Sequence, residues 1–379
     1  MIRRINALLL TALLLVTMAC DGDDPTPSTP RTVLVYMVAS NSLGDNGSDR
    51  YDLQEMEKAI VAENTENCNI LVYHKAADNT TPILKQLYIE TGHRAAWKTL
   101  ATYEDLPARV SVSEARMRQV IADMQRYAPA PDYGLILWSH ATGWAPSLTT
   151  KNEVRRRSFG DDNGYTMPLN VLSDALPDNL FSFICADVCY FGSVEVAYQL
   201  RDKCRFFMAS ASEVPTGGMP YDVTLPYLCR NTAAVDDACE ATFKFYNNYT
   251  GAARSYTGVV VDCNKLDALA DACRNIYRQR KPDPANLDDL QYYNINKSHF
   301  YFDLKQYYNA ISPNTALTTA FNNALNQAVV YAAATPAIFS HLTIDPNHYC
   351  GLSTYIDNTS PGINQQYYET LEWYNFVIK

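Results

Sequence analysis

Apolar residues come along this chain in two rhythms: short unbroken runs, and stretches in which they recur every three or four positions. Thr32–Ala39, Asn69–His74, Tyr133–His140 and Leu180–Cys189 are of the first kind. Such runs suit inner strands of a parallel sheet covered on both faces. Arg205–Ser210 predicts a further strand and Leu84–Ile89 a shorter one at an edge. Between them the spacing changes. Ser48–Val61 carries Leu53, Met56, Ala59 and Ile60 on one helical face, and Val112–Tyr127 carries Met117, Val120, Ile121 and Met124, with Ser111 or Ser113 as cap. Leu169–Ala175 and Ser193–Asp202 predict two more helices. Alternating helix and strand implies βαβ units. The polar stretch Thr149–Gly164 has neither rhythm and reads as an exposed loop. From about Tyr221 the pattern is mostly helical, over Val235–Tyr249, Lys265–Arg280, Ser298–Ala310 and Leu317–Ala332, interrupted by strand-like Thr257–Cys263 and Gly351–Ile356.

The first residues do not belong to that pattern. Arg3 and Arg4 precede the apolar run Ala7–Val16, which ends in Thr17-Met-Ala-Cys20. A charged start, a short apolar run and a small residue before the cut describe a secretory signal over residues 1–19. The Cys after the small residue looks like a lipobox, with Cys20 as the lipid-bearing first mature residue. Asp21-Gly-Asp-Asp24 after it resembles the surface-export signal of Bacteroidetes lipoproteins. Pro25–Pro30 is a solvated tether, so residues 20–31 build no core. The expected location is extracytoplasmic: a lipoprotein of the outer membrane, at the cell surface, touching the membrane only through Cys20.

Removing residues 1–19 leaves 29 basic against 41 acidic side chains, and no basic stripe is visible. That balance argues against a nucleic-acid partner but allows an acidic pocket for a cationic substrate. The nine cysteines after Cys20 have no CxxC spacing. Buried thiols, with one or two disulfides at most, are expected rather than zinc or a disulfide framework. The 27 tyrosines are scattered, which suits packing better than an aromatic glycan-binding face.

Chemistry enters where the apolar runs end. One closes on His140 and another on Cys189. In parallel sheets ligands collect at the carboxyl ends of the strands, so these two side chains can face one pocket. A Cys/His pair so placed is the outline of a cysteine hydrolase. Taken singly, a strand-end Cys or His is more often a core residue, and that reading stands for Cys185 and His74. His348 and Cys350 repeat the theme in an irregular segment and are read as unrelated. Asp161-Asp-Asn-Gly164 is too short to define a metal site.

Five stretches resemble the clostripain family of cysteine peptidases, within the caspase/gingipain clan. They are Thr32–Met37, Leu137–Trp144, Asp187–Tyr198, Ala209–Glu213 with Gly218–Tyr221, and Gly351–Tyr355. The resemblance implies an α/β/α sandwich with a mostly parallel sheet over about 32–230 and a helical C-terminal extension over about 231–379. It makes His140 the base and Cys189 the nucleophile, with the backbone N–H groups of Ala141 and Cys189 as oxyanion hole. Cys189 is expected at a strand-to-helix turn, where the dipole of the following helix and the nearby imidazole would stabilise the thiolate. Asp187 matches the acidic position lining the S1 pocket, where a P1 Arg or Lys would bind; Glu213 is a second candidate for that wall. The family matures by cleavage after the catalytic His, where this chain has Lys151, Arg155, Arg156 and Arg157. No cofactor is implied, calcium is left open, and the partners are protein or peptide substrates of a monomer.

Ala141 and Val188 depart from the family's more usual Gly and Ala, and Tyr190-Phe191 from Leu-Met. Ala141 is acceptable only if its backbone does not need φ > 0. These departures leave a peptide-binding lipoprotein without catalysis as the alternative, and a transpeptidase or amidase as a weaker one.

Overall fold

A computed structural model describes residues 29–62, 68–77, 81–104, 108–145, 147–148, 154–155, 158–230, 232–294, 299, 301–356 and 363–379. The predicted signal, Cys20 and most of the tether lie outside these residues. So do Lys151, Arg156 and Arg157, while Arg155 is described only as part of a two-residue strand, Val154–Arg155.

Nine strands form one sheet: β1 Arg31–Val38, β2 Cys68–Lys75, β3 Ile83–Glu90, β4 Arg94–Thr102, β5 Asp132–Trp138, β6 Phe181–Asp187, β7 Cys204–Ala209, β8 Thr257–Asp262 and β9 Val329–Ala334. Their order is β9-β8-β7-β6-β5-β1-β2-β3-β4. The neighbours from β7 to β2 pair in parallel, and each flank adds two antiparallel strands. The sheet is thus mostly parallel at its centre, as the apolar runs predict.

Strand β1 shows how the layers form. Leu34, Tyr36 and Val38 enter one apolar cluster, and Val33, Val35 and Met37 enter another. Successive side chains leave opposite faces of a strand, so a strand covered on both faces must be apolar throughout. The first cluster is closed by α2 Glu114–Tyr127, α3 Leu169–Ala175, α4 Val194–Gln199, α7 Leu266–Tyr277, α8 Leu304–Ile311 and α9 Thr315–Ala328. The second is closed by α1 Ser48–Ala62, α5 Tyr221–Leu228 and α6 Val235–Asn247. The predicted inner faces of α1 and α2 are the buried ones, and the α2 cap is Ser113, which accepts from the Arg116 N–H.

Four expectations need correction. The run predicted as a helix to Ala332 stops at Ala328, and Val329–Ala334 pairs with β8 instead. The helix predicted from Ser298 begins at Leu304, after a short strand, Tyr301–Asp303. Leu84–Ile89 is not at an edge, because Arg94–Thr102 lies outside it. The end of the predicted exposed loop is buried: Phe159–Asp162 lies under the His140 turn, and Asp162 accepts from the Ser40 hydroxyl at 2.5 Å and the Ser111 N–H at 3.2 Å. No helix among the described residues is long and apolar enough to cross a membrane.

Candidate active site

Strands β5 and β6 are parallel neighbours in register, Leu137 beside Ala186 and Trp138 beside Asp187. Each therefore delivers its chain to the same end of the sheet. His140 and Cys189, two residues beyond their strands, both line one cleft of about 880 Å³. Asp187, Ala141 and Glu213 line it too.

The His140 turn is braced from beneath. Ser139 donates to the Val38 carbonyl at 2.8 Å and accepts from the Asp161 N–H at 3.1 Å. The Asn41 amide donates to the carbonyls of Val38 at 2.9 Å and Asp161 at 2.7 Å. His140 Nε2 lies 2.8 Å from the hydroxyl of Ser42, just past β1, a partner that sequence reasoning missed.

Ala141 bridges Phe159, but the hydrogen bonds closing that bridge belong to its neighbours, Thr142 N–H to the Ser158 carbonyl and Gly160 N–H to the His140 carbonyl. The Ala141 N–H is not consumed there. Nor is Ala141 among the described residues with positive φ, so its Cβ costs no backbone strain. The glycine the turn requires is Gly143, at φ +71, where an added Cβ would lie 2.5 Å from the Tyr301 hydroxyl oxygen and 2.7 Å from the Tyr190 carbonyl oxygen.

Cys189 sits in a tight turn whose next residue, Tyr190, is held at φ +62. Such backbone strain in a non-glycine residue persists only where its surroundings impose it. Here the Tyr190 N–H donates to the Ser212 carbonyl and its hydroxyl donates to Glu213 at 2.8 Å. Val188 is accommodated as a buried residue of the core.

The expected helix-dipole effect on the thiol is not found. The helix starts at Val194, capped by Ser193, too far along for its dipole to act on Cys189. The sulfur instead accepts one N–H, from Val214 at 3.3 Å. Burial, with smaller contributions from the charges of Glu213 and Asp187, pushes the thiol up to about 12. A thiol so raised keeps its proton at neutral pH.

Asp187 lies on the cleft wall and is wrapped by the segment after Glu213. Its carboxylate accepts from the Met219 N–H at 2.9 Å and the Tyr221 hydroxyl at 3.0 Å. A Cβ on Gly218 (φ +56) would stand 2.8 Å from it. Burial raises this carboxyl to about 6, against which the two hydrogen bonds work. It is therefore ionised at neutral pH, with acceptor capacity left on both oxygens.

The other sequence candidates fall elsewhere. His74 bonds Asp49 at 2.8 Å, Cys185 is buried in the core, and His348 sits at 3.3 Å from Asp345, away from the cleft. All nine cysteines among the described residues are free. Among those residues no group of three or more His, Cys, Asp and Glu side chains is gathered as a metal site.

A mostly parallel α/β/α sandwich with a Cys and a His at adjacent strand ends is the class of architecture found in cysteine peptidases of the caspase type. The chain belongs to the clostripain family, peptidase family C11, which it matches over residues 35–374. It is similar to the X-ray structure of an inactive zymogen C11 protease from Parabacteroides distasonis, at 28% identity and TM-score 0.80, covering 93% of this chain and 99% of that one. It is also similar to a secreted C11 cysteine protease from Bacteroides thetaiotaomicron in complex with an irreversible peptide inhibitor, at 27% identity and TM-score 0.78, covering 92% and 98%. A clostripain from the same organism, in complex with the peptide inhibitor BTN-VLTK-AOMK, matches 57% of this chain and 97% of its own at 27% identity and TM-score 0.51. No curated protein matches the chain.

Proposed function

We propose that this C11 family member is an active endopeptidase that cleaves after Arg or Lys, with Cys189 as nucleophile and His140 as its acid–base partner. The observation that carries the reading is the register of β5 and β6, which puts both side chains and Asp187 on one cleft. The P1 cation pairs with Asp187. The imidazole takes the thiol proton as sulfur attacks the scissile carbonyl, and returns it to the leaving amine. The N–H groups of Ala141 and Cys189 stabilise the oxyanion. A thiol at about 12 does not ionise alone, so attack waits for a seated substrate, whose cation also offsets the carboxylates that raise the thiol. The relative from B. thetaiotaomicron bound to a peptide ending in lysine supports the P1 assignment.

The same reading covers the rest of the chain. Residues 1–19 direct export, Cys20 carries the lipid on the outer membrane, and residues 32–379 act as a monomer on protein or peptide substrates. Cleavage among Lys151, Arg155, Arg156 and Arg157 activates the enzyme, in keeping with an inactive zymogen among the relatives. Recovery of intact, unclipped and fully active protein contradicts that step.

The raised thiol also suits a relative that binds peptides without turnover. A lysine-terminated peptide electrophile separates the two. The expected result is one adduct per chain, mapped to Cys189 by mass spectrometry and lost in His140→Ala. An unmodified thiol with bound peptide favours the binder.

A further inference from the structure

The cleft extends beyond the Asp187 wall. Its volume, about 880 Å³, lies in the upper part of the roughly 300–1,000 Å³ range of pockets that enclose whole small molecules, well beyond one side chain. The far wall comes from two helices. Tyr51 and Glu55, four residues apart on α1, share a helical face, and Phe245, Tyr246 and Tyr249 approach from the end of α6.

Glu55 is 3% exposed yet lines the cleft. It accepts from the Tyr221 N–H at 2.9 Å and from the Tyr51 hydroxyl. The Tyr221 hydroxyl donates to Asp187. One tyrosine thus separates two cleft carboxylates, anchoring each at one of its ends. Same-face side chains two residues apart in an extended peptide lie about 7 Å apart, so two basic side chains of one substrate can reach different parts of the cleft.

Neither carboxylate is held in an ion pair among the described residues, and the charge of Lys58 favours the ionised form of Glu55. Among the described residues no Lys, Arg or His makes an ion pair with Asp52, Glu55, Asp187 or Asp222. Asp52, fully buried, and Asp222 each keep one oxygen without a hydrogen-bond partner. The carboxyls also oppose one another's ionisation, Asp187 acting on Asp52 and Asp222 on Glu55. With a single P1 cation at Asp187, the Glu55 end keeps only the charge of Lys58 and its two hydrogen bonds to set against its burial and the Asp222 charge. The rings beside Glu55 favour a cation as well, since aromatic faces attract them. Lys58 Nζ already lies 5.8 Å from the Tyr51 ring centre.

We propose that Glu55, with the rings of Tyr51, Phe245 and Tyr249, forms a second subsite that takes a Lys or Arg side chain within two residues of P1. The enzyme then prefers paired-basic segments over isolated basic residues. This rests on the cleavage after Arg or Lys proposed above. The chain's own Arg155-Arg156-Arg157 is a segment of that kind.

The test uses the full chain and fluorogenic peptides with P1 Arg fixed, carrying Lys in place of Ala at P3, P2, P1′ or P2′, one at a time. At the best position kcat/KM should rise about tenfold over the all-Ala peptide, and the gain should shrink with added salt. Glu55→Gln keeps an acceptor for the Tyr221 N–H but loses the charge, so the ratio should fall to near one. Tyr249→Leu, at a side chain 45% exposed and so little risk to folding, should lower it severalfold. A ratio near one at every position in the unmodified enzyme, with the all-Ala P1 Arg peptide still cleaved, overturns the second subsite alone. A ratio that survives Glu55→Gln overturns it too. No cleavage after Arg in any peptide overturns both readings.

Discussion

Replacing Asp187 with Asn should cost activity and add stability. The side chain keeps its shape and an acceptor for the Met219 N–H, so the variant removes mainly the charge. Charged hydrogen bonds contribute ~1.5–3 kcal/mol, so kcat/KM for P1 Arg or Lys peptides should fall about 10- to 100-fold. Stability should move the other way. Burial holds this carboxyl at about 6 rather than its ordinary 3.8. The folded chain thus binds the proton more tightly than the unfolded chain. The stabilisation from that proton is present below the unfolded pKa and is lost as pH rises through the folded one. At ~1.4 kcal/mol per pKa unit the loss in the unmodified protein reaches ~3 kcal/mol between about pH 4 and 6, then levels off. Asn never ionises. Denaturant unfolding at pH 4 and pH 7.5 should show no gain for the variant at the first and up to ~3 kcal/mol at the second. An unstabilised variant at pH 7.5 contradicts the view of Asp187 as a desolvated carboxylate awaiting a cation. Undiminished cleavage after Arg and Lys contradicts its place in S1.

Other expectations are as direct. Ser42→Ala removes the hydroxyl beside His140 Nε2, worth ~0.5–1.5 kcal/mol, and should lower kcat up to about tenfold with little change in KM; an unchanged kcat removes Ser42 from the site. Gly143→Ala must place a Cβ at φ +71 against the Tyr301 hydroxyl and the Tyr190 carbonyl, so destabilisation of ~2 kcal/mol or more is expected; an unshifted melting curve contradicts that packing. Because the resting thiol stands near 12, a small neutral alkylating agent should modify Cys189 slowly at pH 7.5 and faster with rising pH, whereas a basic peptide electrophile reacts quickly; equal rates at pH 7.5 contradict activation by the seated substrate.

What the sequence reveals divides along physical lines. The inner strands and the inner faces of α1 and α2 were legible because burial on both faces of a sheet, or along one stripe of a helix, dictates residue type locally. That His140, Cys189 and Asp187 reach one cleft was legible because each lies at the end of such a strand. Strand β9 was not: Val329-Val-Tyr-Ala-Ala-Ala334 continues a helical, alanine-rich run, and only pairing with β8, distant in sequence, makes it a strand. Arg94–Thr102, half-exposed at the sheet edge, carries no apolar run to announce it. Polar residues set by tertiary contact were the hardest. Ser42 is an ordinary exposed serine opening a four-residue helix, Ser42–Asp45, until the sheet brings it to His140, and Glu55 belongs to a helix whose apolar stripe gives no reason to bury it. The thiol's environment was misjudged because the dipole of a helix that starts at Val194 does not reach back to Cys189, while burial raises the thiol.

The most direct measurement is hydrolysis of fluorogenic peptides bearing Arg, Lys, Asp, Asn or Ala at P1, run beside Cys189→Ala. Cleavage after Arg and Lys, absent from the Cys189→Ala protein, is the predicted result. Cleavage after another residue discards the Asp187 assignment. No cleavage of any peptide by protein already clipped in the basic loop contradicts the account of this chain as an active peptidase.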